Sequence, residues 1–321
     1  NWNTEDFLRK FLPGLVRSCA KVKGAEVVVA DNASTDGSLK LMAEEFPQVR
    51  TLKFEKNLGF TGGYNRAFAE LSDGPDAPEY FLLINSDIEV PEDWLGPLVE
   101  WMDTHPQCGA CAPKLHGWQH KDMFEYAGAA GGYIDRFGYP FCRGRIMGRV
   151  EKDKGQYDSP TDVFWATGAC LMVRSSVYRR LGGLDERFFA HMEEIDLCWR
   201  MQLEGWKVTV VPSSTVYHVG GGTLPPTSPF KLFLNYRNNL LMLDNNLAKT
   251  YALGLFHGGM DAYKAARKGM RKATRRIRMR MVLDGLSAAV YLVTFRFSCF
   301  KAVFKAHKEY RRMVTYSSLE Q

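Results

Sequence analysis

The chain alternates short apolar runs with longer segments whose apolar residues recur at helical spacing. Strand-sized runs lie at Val27–Ala30, Arg50–Phe54 and Tyr80–Ile84, and amphipathic segments lie at Thr4–Arg17 and Ser38–Phe46. Short runs of this length suit buried strands, whereas the longer periodic segments suit helices packed on a sheet. The first third of the chain therefore predicts an α/β domain.

The alternation continues towards the C-terminus with one interruption. The pattern predicts a helix over Trp94–Thr104 and strands over Gly109–Pro113 and Lys207–Pro212. Residues Gly117–Pro160 have no sustained periodicity, and a loop this long is usually functional or partly disordered. We expect five aromatic residues in or near it either to stack on sugar rings or to pack the insertion down: Tyr133, Phe137, Tyr139, Phe141 and Trp165.

The first and last segments of the chain predict how its domains are organised. The chain opens on Asn1-Trp2-Asn3 directly before the first predicted helix, so we predict that the first strand of the sheet lies upstream. From about Leu240 the chain becomes basic and helical. We therefore predict one domain over residues 1–240 and a C-terminal helical region over residues 241–321.

The charge is unevenly distributed in an otherwise ordinary globular composition. The 321 residues are 45% hydrophobic and 24% charged, with a net charge of +6. The segment from Lys264 to Arg280 holds nine Lys or Arg and no acid. Basic amphipathic helices are typical of membrane-surface elements, although a solvated face or an oligomer contact would look the same. Because the block lacks interleaved aromatics, we predict no nucleic-acid partner.

Cysteine usage and hydropathy bear on the compartment. The seven cysteines are scattered, and the Cys108–Cys111 pair has no second pair after it, so we predict core residues in a reducing compartment. No uncharged apolar stretch reaches about 18 residues, and no secretory signal is evident. We expect a cytoplasmic protein that binds peripherally to the inner face of the cytoplasmic membrane.

Polar residues follow the ends of the predicted strands. Asp31 follows the first strand, and Asn85, Ser86 and Asp87 follow the strand at Tyr80–Ile84. Ligands of open α/β sheets bind outside the carboxyl ends of the strands. Asp87 is a hard oxygen ligand that suits a divalent cation shared with substrate phosphates, whereas an ordinary turn is the alternative. Between these strands, Gly59, Gly62 and Gly63 would let the backbone approach a ligand closely.

The ordered segments Asp31–Ser38, Asn57–Phe60 and Asn85–Asp87 resemble the donor half of family 2 glycosyltransferases with a GT-A fold. More narrowly, they are similar to the rhamnosyltransferase-like branch of bacterial polysaccharide synthesis. The resemblance implies that Mg²⁺ or Mn²⁺ is held by Asp87, helped by other ligands because Asn85 stands where the family often has Asp. It also implies a set of donor-binding residues, namely Asn3, Asp31, Asn32, Ser34, Asp36, Asn57, Gly59, Gly62, Asn65, Asn85, Ser86 and Arg237.

The acidic cluster Glu193, Glu194 and Asp196 is similar to the family's Glu-Asp-x-Asp segment. The resemblance implies that Glu194 takes the proton from the acceptor hydroxyl, with Glu193 and Asp196 as supports. Stabilisation of a helix start by acids, and an i,i+4 pair between Asp196 and Arg200, are the alternatives. The acceptor side would be lined by Trp165, Thr167, Gly168 and His191.

His218 precedes the glycines Gly220–Gly222 and is either a core histidine or, as the family resemblance implies, a metal ligand. The glycines would let phosphate approach closely, and Arg237 would offer a planar fork to it. We therefore expect an inverting, metal-dependent glycosyltransferase. It would move a sugar from dTDP-rhamnose or a UDP- or GDP-sugar to a glycan or lipid-linked acceptor. A nucleotidyltransferase on a related fold, or a non-catalytic sugar- or nucleic-acid-binding protein, is the alternative.

Overall fold

In the computed structural model, residues 1–72, 77–220 and 228–317 are described. The N-terminal part alternates helices and strands as the pattern predicts. Its elements are α1 (Glu5–Cys19), β1 (Val28–Asp31), α2 (Ser38–Glu45), β2 (Arg50–Lys53), α3 (Gly59–Leu71), β3 (Tyr80–Ile84), β4 (Ile88–Glu89), α4 (Leu95–Thr104) and β5 (Cys108–Gly117).

The remaining elements comprise short strands, two more strands of the main sheet and the C-terminal helices. They are β6 (Gly132–Ile134), β7 (Pro140–Cys142), β8 (Arg145–Ile146), β9 (Arg149–Val150), β10 (Thr161–Asp162), β11 (Cys170–Arg174), α5 (Ser175–Arg180), α6 (Glu193–Leu203), β12 (Lys207–His218), α7 (Pro229–His257), α8 (Ala262–Val293) and α9 (Phe297–Ser317). A single 3₁₀ turn, Glu186–Phe188, precedes α6.

The main sheet is mixed and has the order β10-β12-β5-β11-β3, with β4 paired to β12. Strand β11 runs antiparallel to β3 and β5, whereas β12 runs parallel to β5. Strands β3, β5 and β11 are lined by fully buried residues such as Leu83, Ala110 and Leu171, because helices cover both faces. The α/β class is thus confirmed, as a mixed sheet flanked by helices.

Strands β1 and β2 form a separate parallel pair, and each leaves an edge unpaired within the described residues. On the edge of β1 away from β2, the Asn1 amine donates to the Ala30 carbonyl at 2.8 Å. The Asn32 amide donates back to the Asn1 carbonyl at 2.9 Å. These two bonds follow the ladder of a parallel strand. A strand upstream of residue 1 stays a prediction.

The insertion after β5 is more ordered than its sequence predicts. It contains the hairpins β6–β7 and β8–β9, and β10 joins the edge of the main sheet beside β12. Trp165 is 4% exposed, and its indole N–H donates to the Tyr133 carbonyl at 3.0 Å. The prediction of a long loop is therefore wrong, because the hairpin strands have only two or three residues and are too short to give a periodic signal.

Helix α7 crosses residue 240 without a break. Leu240 to Leu243 are fully buried in the same cluster as sheet residues, and Ala273 of α8 and Tyr310 of α9 join that cluster. The division of the chain at residue 240 stays a prediction. No helix among the described residues has the length and apolar character needed to span a bilayer.

Candidate active site

One large cavity opens beside the carboxyl ends of β1 and β3 and brings many of the predicted site residues together. Its lining includes Asn32, Asn57, Gly59, Asn85, Ser86 and Asp87, which were predicted on the donor side, together with Trp165, Thr167, Gly168, His191, Glu193, Glu194 and His218. These residues come from distant parts of the sequence. They meet here because the strands that carry them end at the same edge of the sheet.

The loop after β1 is shaped by a network of polar side chains that do not line the cavity. Asp31 is 1% exposed and accepts from the Ser34 amide at 2.9 Å and from the Asn1 side chain at 2.7 Å. Asn3 accepts from the Thr35 amide at 2.7 Å. Asp36 accepts from the amides of Glu5 and Ser38, both at 3.0 Å, which start α1 and α2. Four of the predicted donor-binding residues therefore stabilise the loop and do not form the cavity wall, namely Asn3, Asp31, Ser34 and Asp36.

The glycines after β2 belong to the first turn of α3 and not to a loop, which corrects the sequence prediction. Gly59 has φ +73°, and a Cβ there would lie 2.5 Å from the Phe189 ring, so only glycine fits. Asn32 donates to the Gly59 carbonyl at 2.7 Å and accepts from the Leu58 amide at 3.0 Å. Gly62 faces Leu58 instead of the cavity. These contacts hold the start of α3 between the loop after β1 and the segment that precedes α6.

Asn65, predicted on the donor side, anchors a neighbouring turn instead. Its carbonyl oxygen accepts from the Tyr178 hydroxyl at 2.6 Å and from the Leu184 amide at 2.9 Å. Its amide group donates to the Leu184 carbonyl at 2.7 Å. The side chain is fully committed to protein groups and lies outside the cavity wall.

Asp87 and His218, the two predicted metal ligands, lie side by side. Strand pairing sets His218 opposite Ile88, and the imidazole Nε2 lies 3.2 Å from Asp87 Oδ1. Glu125 lies on the other side, its Oε1 3.5 Å from Nδ1, and it lines the same cavity. Burial lowers the pKa of His218, but the facing carboxylates of Asp87 and Glu125 outweigh it and raise the pKa to about 9.

Glu125 is a site residue that the sequence did not indicate. It lies in the aperiodic insertion, where nothing distinguishes it from the other charged residues. It is 7% exposed, and its carboxylate accepts from the Ala127 amide at 2.6 Å. No three His, Cys, Asp or Glu side chains in the described part of the chain are arranged as a complete metal site. A cation here would therefore depend on oxygens from a substrate.

The start of α6 presents unpaired polar atoms to the cavity. His191 Nε2 and the Oε2 atoms of Glu193 and Glu194 are buried without a hydrogen-bond partner among the described residues. Burial raises the pKa of Glu194 to about 7. Burial, and then the neighbouring Glu194, raise the pKa of Glu193 further. Burial therefore favours the protonated form of both carboxyls.

The acceptor-side turn approaches Glu194 closely. A Cβ on Gly168 would lie 3.1 Å from the Phe60 ring and 3.4 Å from Glu194 Cβ. Thr167 accepts from the Ala169 amide at 3.3 Å, which shapes the turn into β11. Burial, and then Lys231, lower the pKa of His191 to about 4, so its imidazole is neutral at physiological pH.

Asp196 lies on the far side of α6 and does not line the cavity. It is fully buried and accepts from Arg200 Nε at 2.7 Å, which is the i,i+4 pair considered from the sequence. It also accepts from Asn245 at 3.0 Å and from Asn246 at 2.8 Å, both on α7. Asp196 therefore fastens α6 to α7, and any support it gives to Glu194 acts through the position of the helix.

Arg237 does not reach the cavity, which corrects the expectation that it offers a fork to phosphate. Its Nη2 donates to the carbonyls of Arg187 at 3.1 Å and Phe188 at 2.8 Å. Its Nε donates to Asn238 at 2.9 Å, and the residue is 7% exposed. The guanidinium is used to hold the 3₁₀ turn before α6. Two of the three predicted phosphate-approach glycines, Gly221 and Gly222, lie outside the described residues.

Lys231 provides the positive charge that Arg237 does not. It lies in the first turn of α7, lines the cavity and is half-buried, with no ion pair to any described residue. Burial lowers the pKa of its ammonium, and Glu125 opposes this shift. The sequence alone gave no reason to choose it over other lysines. A half-buried cation beside a cavity calls for an anionic ligand.

Comparison with known proteins agrees with this geometry. Residues 1–182 match the profile of glycosyl transferase family 2. The chain is 29% identical over 220 residues to N-acetylglucosaminyl-diphospho-decaprenol L-rhamnosyltransferase of Mycobacterium tuberculosis, covering 66% of this chain and 71% of the relative. It is 24% identical over 216 residues to rhamnosyltransferase WbbL of Escherichia coli strain K12, covering 67% and 79%.

Among solved structures, GalNAc-T7 with UDP, GalNAc and Mn²⁺ superposes with a TM-score of 0.56 at 14% identity, covering 84% of this chain and 52% of that one. This likeness supports the GT-A fold. The chain belongs to glycosyl transferase family 2 and is a glycosyltransferase. Its relatives support the rhamnosyltransferase-like branch, as the sequence predicted.

Proposed function

We propose that the protein transfers a sugar, with inversion, from a nucleotide-diphosphate sugar to a hydroxyl of a glycan or lipid-linked acceptor in cell-surface polysaccharide synthesis. The observation that carries the proposal is that two kinds of group line the same cavity. Asp87 and His218 lie 3.2 Å apart in its wall, and Glu194, whose Oε2 has no hydrogen-bond partner among the described residues, lines it as well. Direct displacement needs a leaving-group site and a base on opposite sides of the anomeric carbon.

The donor site would be formed by Asn32, Asn57, Gly59, Asn85 and Ser86. These residues line the same cavity as Asp87. The two rhamnosyltransferase relatives favour dTDP-rhamnose as donor, with UDP- and GDP-sugars as the other candidates. Asp31, Asn3, Ser34 and Asp36 would act on the donor by fixing the loop that carries Asn32.

The side chains that could act as metal ligands in this cavity suit a divalent cation, Mg²⁺ or Mn²⁺. Asp87 and His218 would hold it, with Glu125 adjacent, and His218 Nδ1 is a buried nitrogen without a hydrogen bond among the described residues. A bound cation would neutralise negative charge on the diphosphate. Lys231 would add a second positive charge on the same cavity wall.

Glu194 would accept the proton of the attacking hydroxyl. Its pKa near 7 gives it enough basicity while leaving a large ionised fraction at neutral pH. Glu193, kept protonated by burial, would donate a hydrogen bond to the acceptor or to Glu194. Trp165, Thr167, Gly168 and His191 would shape the acceptor side.

The C-terminal helices would hold the enzyme at the inner face of the cytoplasmic membrane. Seven of the nine cations between Lys264 and Arg280 are exposed. Further along α8, Val282, Leu286 and Val290 recur every four residues and are 64%, 62% and 59% exposed. A basic stretch followed by an exposed apolar stripe suits an anionic lipid surface, where a lipid-linked acceptor would be found.

The test is nucleotide release from a panel of dTDP-, UDP- and GDP-sugars with Mg²⁺, Mn²⁺ or chelator. We expect release from one donor that needs metal and is lost in Asp87→Ala. Lys231→Ala should raise the KM for that donor roughly tenfold or more, because a charged hydrogen bond to phosphate is removed. Lys249→Ala, an exposed lysine on the same helix, is the matched control and should change nothing.

Two results would contradict the proposal. Release that is unaffected by chelator and by Asp87→Ala would remove the metal and its ligand from the reaction. Failure of every nucleotide sugar to bind in calorimetry would remove the donor site. Equal behaviour of Lys231→Ala and Lys249→Ala would remove only the role of Lys231.

A further inference from the structure

The tip of the β8–β9 hairpin exposes two adjacent apolar side chains. Ile146 is 72% exposed and Met147 is 91% exposed, and neither side chain has a polar group to interact with water. Scattered single apolar residues on a surface are ordinary, but a neighbouring pair on a projecting turn is a candidate contact site.

The backbone of the turn is unfavourable for the residue that it carries. Met147 has φ 54°, in the left-handed region that favours glycine or asparagine in two-residue hairpin turns. Gly148 follows it, so the turn already contains one flexible residue. The long thioether side chain of Met147 does not stabilise the turn. Its presence there favours a role in contact with a partner.

Three arginines lie near the apolar tip in the sequence. Arg143, Arg145 and Arg149 lie within seven residues that contain no acid. None of the three forms an ion pair with a described carboxylate, and Arg143 and Arg145 stack on Tyr157 at 4.5 Å and Tyr126 at 4.2 Å. Cations held in this way keep their charge available to an anionic partner.

The hairpin adjoins the acceptor side of the cavity. Arg145 lines the cavity together with Tyr126, Pro140 and Cys142. The preceding hairpin is joined to the acceptor-side turn, since Gly132 exchanges backbone hydrogen bonds with Trp165 at 2.9 and 3.1 Å. A partner bound at the tip would therefore lie beside the place where the acceptor enters.

We propose that the β8–β9 hairpin docks on an anionic lipid bilayer, with Ile146 and Met147 inserted among the acyl chains and the arginines on the lipid phosphates. An apolar tip with unpaired arginines near it in the sequence is complementary to such a surface, which presents phosphates above hydrocarbon. The inference rests on the proposed function, because a membrane-embedded acceptor gives the contact its purpose. It adds a second contact to the one made by the C-terminal helices and sets it at the active-site opening.

The experiment compares wild type with the double variant Ile146→Ser, Met147→Gly on vesicles of equal parts phosphatidylcholine and phosphatidylglycerol. Both side chains are exposed, and glycine suits the backbone at residue 147, so the fold should be kept. We expect vesicle binding in sedimentation to fall roughly tenfold, while nucleotide release without acceptor stays at the wild-type rate. Arg149→Gln should weaken binding to these vesicles but not to phosphatidylcholine alone.

A matched variant separates the two membrane contacts. Val282→Ser, Leu286→Ser changes the α8 stripe only, and adding the hairpin changes to it should lower binding further. Unchanged vesicle binding of the hairpin variant would overturn the proposal. So would a loss of donor hydrolysis in parallel with binding, or the dissociation of an oligomer in light scattering without any change on vesicles. A wild type that binds vesicles but releases no nucleotide would instead contradict the proposed function.

Discussion

At the residue scale, the site depends on which carboxylates are free and which are used by the fold. Asp31, Asp36 and Asp196 accept hydrogen bonds from amides or side chains that hold loops and helices. Glu194, in contrast, keeps a buried oxygen with no partner among the described residues. A buried carboxylate oxygen without a partner is unfavourable for folding and therefore indicates a functional group.

The pH dependence of transfer should report Glu194. The base must be ionised, and burial has raised its pKa to about 7, so kcat/KM should rise about tenfold per pH unit below that value and level off above it. Glu194→Gln should lower kcat by roughly a hundredfold to ten-thousandfold while donor binding is kept. Rates measured over pH 5–9 with the acceptor varied from sub-saturating to saturating concentrations give kcat/KM and kcat separately.

Glu193→Gln is the control for this prediction. A neutral amide resembles the protonated carboxyl that burial favours at Glu193, so transfer should change far less than in Glu194→Gln. If Glu193→Gln loses the rise with pH and Glu194→Gln keeps it, the base is Glu193 and the assignment must be exchanged.

At the element scale, α8 offers a test of how closely the C-terminal helices pack on the domain. A Cβ on Gly269 would lie 2.7 Å from the Ala248 carbonyl oxygen and 2.8 Å from the Ala252 amide of α7. Gly285, on the same helix, has nothing within 4 Å. The two glycines therefore differ in packing while sharing helical backbone.

Gly269→Ala should lower the free energy of unfolding by about 1–3 kcal/mol, because backbone atoms of α7 must move to admit the methyl group. Gly285→Ala should raise it by about 0.5–1 kcal/mol through helix propensity alone. Urea unfolding followed by circular dichroism measures both. Equal shifts in the two variants would mean that α7 and α8 do not pack as closely as the structure has them.

At the scale of the whole molecule, the C-terminal helices have two faces with different tasks. Buried residues of α7, α8 and α9 complete the core of the catalytic domain, and the buried Arg280 pairs with Asp284 at 2.8 Å. The exposed cations and apolar stripe of α8 point away from this core. We therefore expect the membrane contact and the fold to respond to different substitutions.

Vesicle binding by Val282→Ser, Leu286→Ser, Val290→Ser should be weaker than that of wild type, while thermal unfolding stays the same. Residual binding should fall as salt is raised from about 0.05 to 0.5 M, because exposed Lys and Arg are screened. Co-sedimentation across this salt range measures it. Salt-independent binding, or a drop in the unfolding temperature of the triple variant, would contradict the division into two faces.

The sequence by itself determined the α/β class, the order of the main elements and a set of residues that line the cavity. Periodicity located the main strands and helices, and the ordered segments Asp31–Ser38, Asn57–Phe60 and Asn85–Asp87 were sufficient to identify the family. These features are local, because hydrophobic spacing and short polar segments after strands can be read directly from the order of the residues.

Only the tertiary structure decided which polar side chains face the cavity and which are consumed by the fold. Arg237 looked like a phosphate ligand but is held by two backbone carbonyls, and Lys231 and Glu125 gained their positions from long-range packing. The structure also showed that α7 crosses the expected boundary and that the insertion forms hairpins. Burial and hydrogen-bond partners arise from contacts between residues far apart in the chain, which spacing along the sequence does not encode.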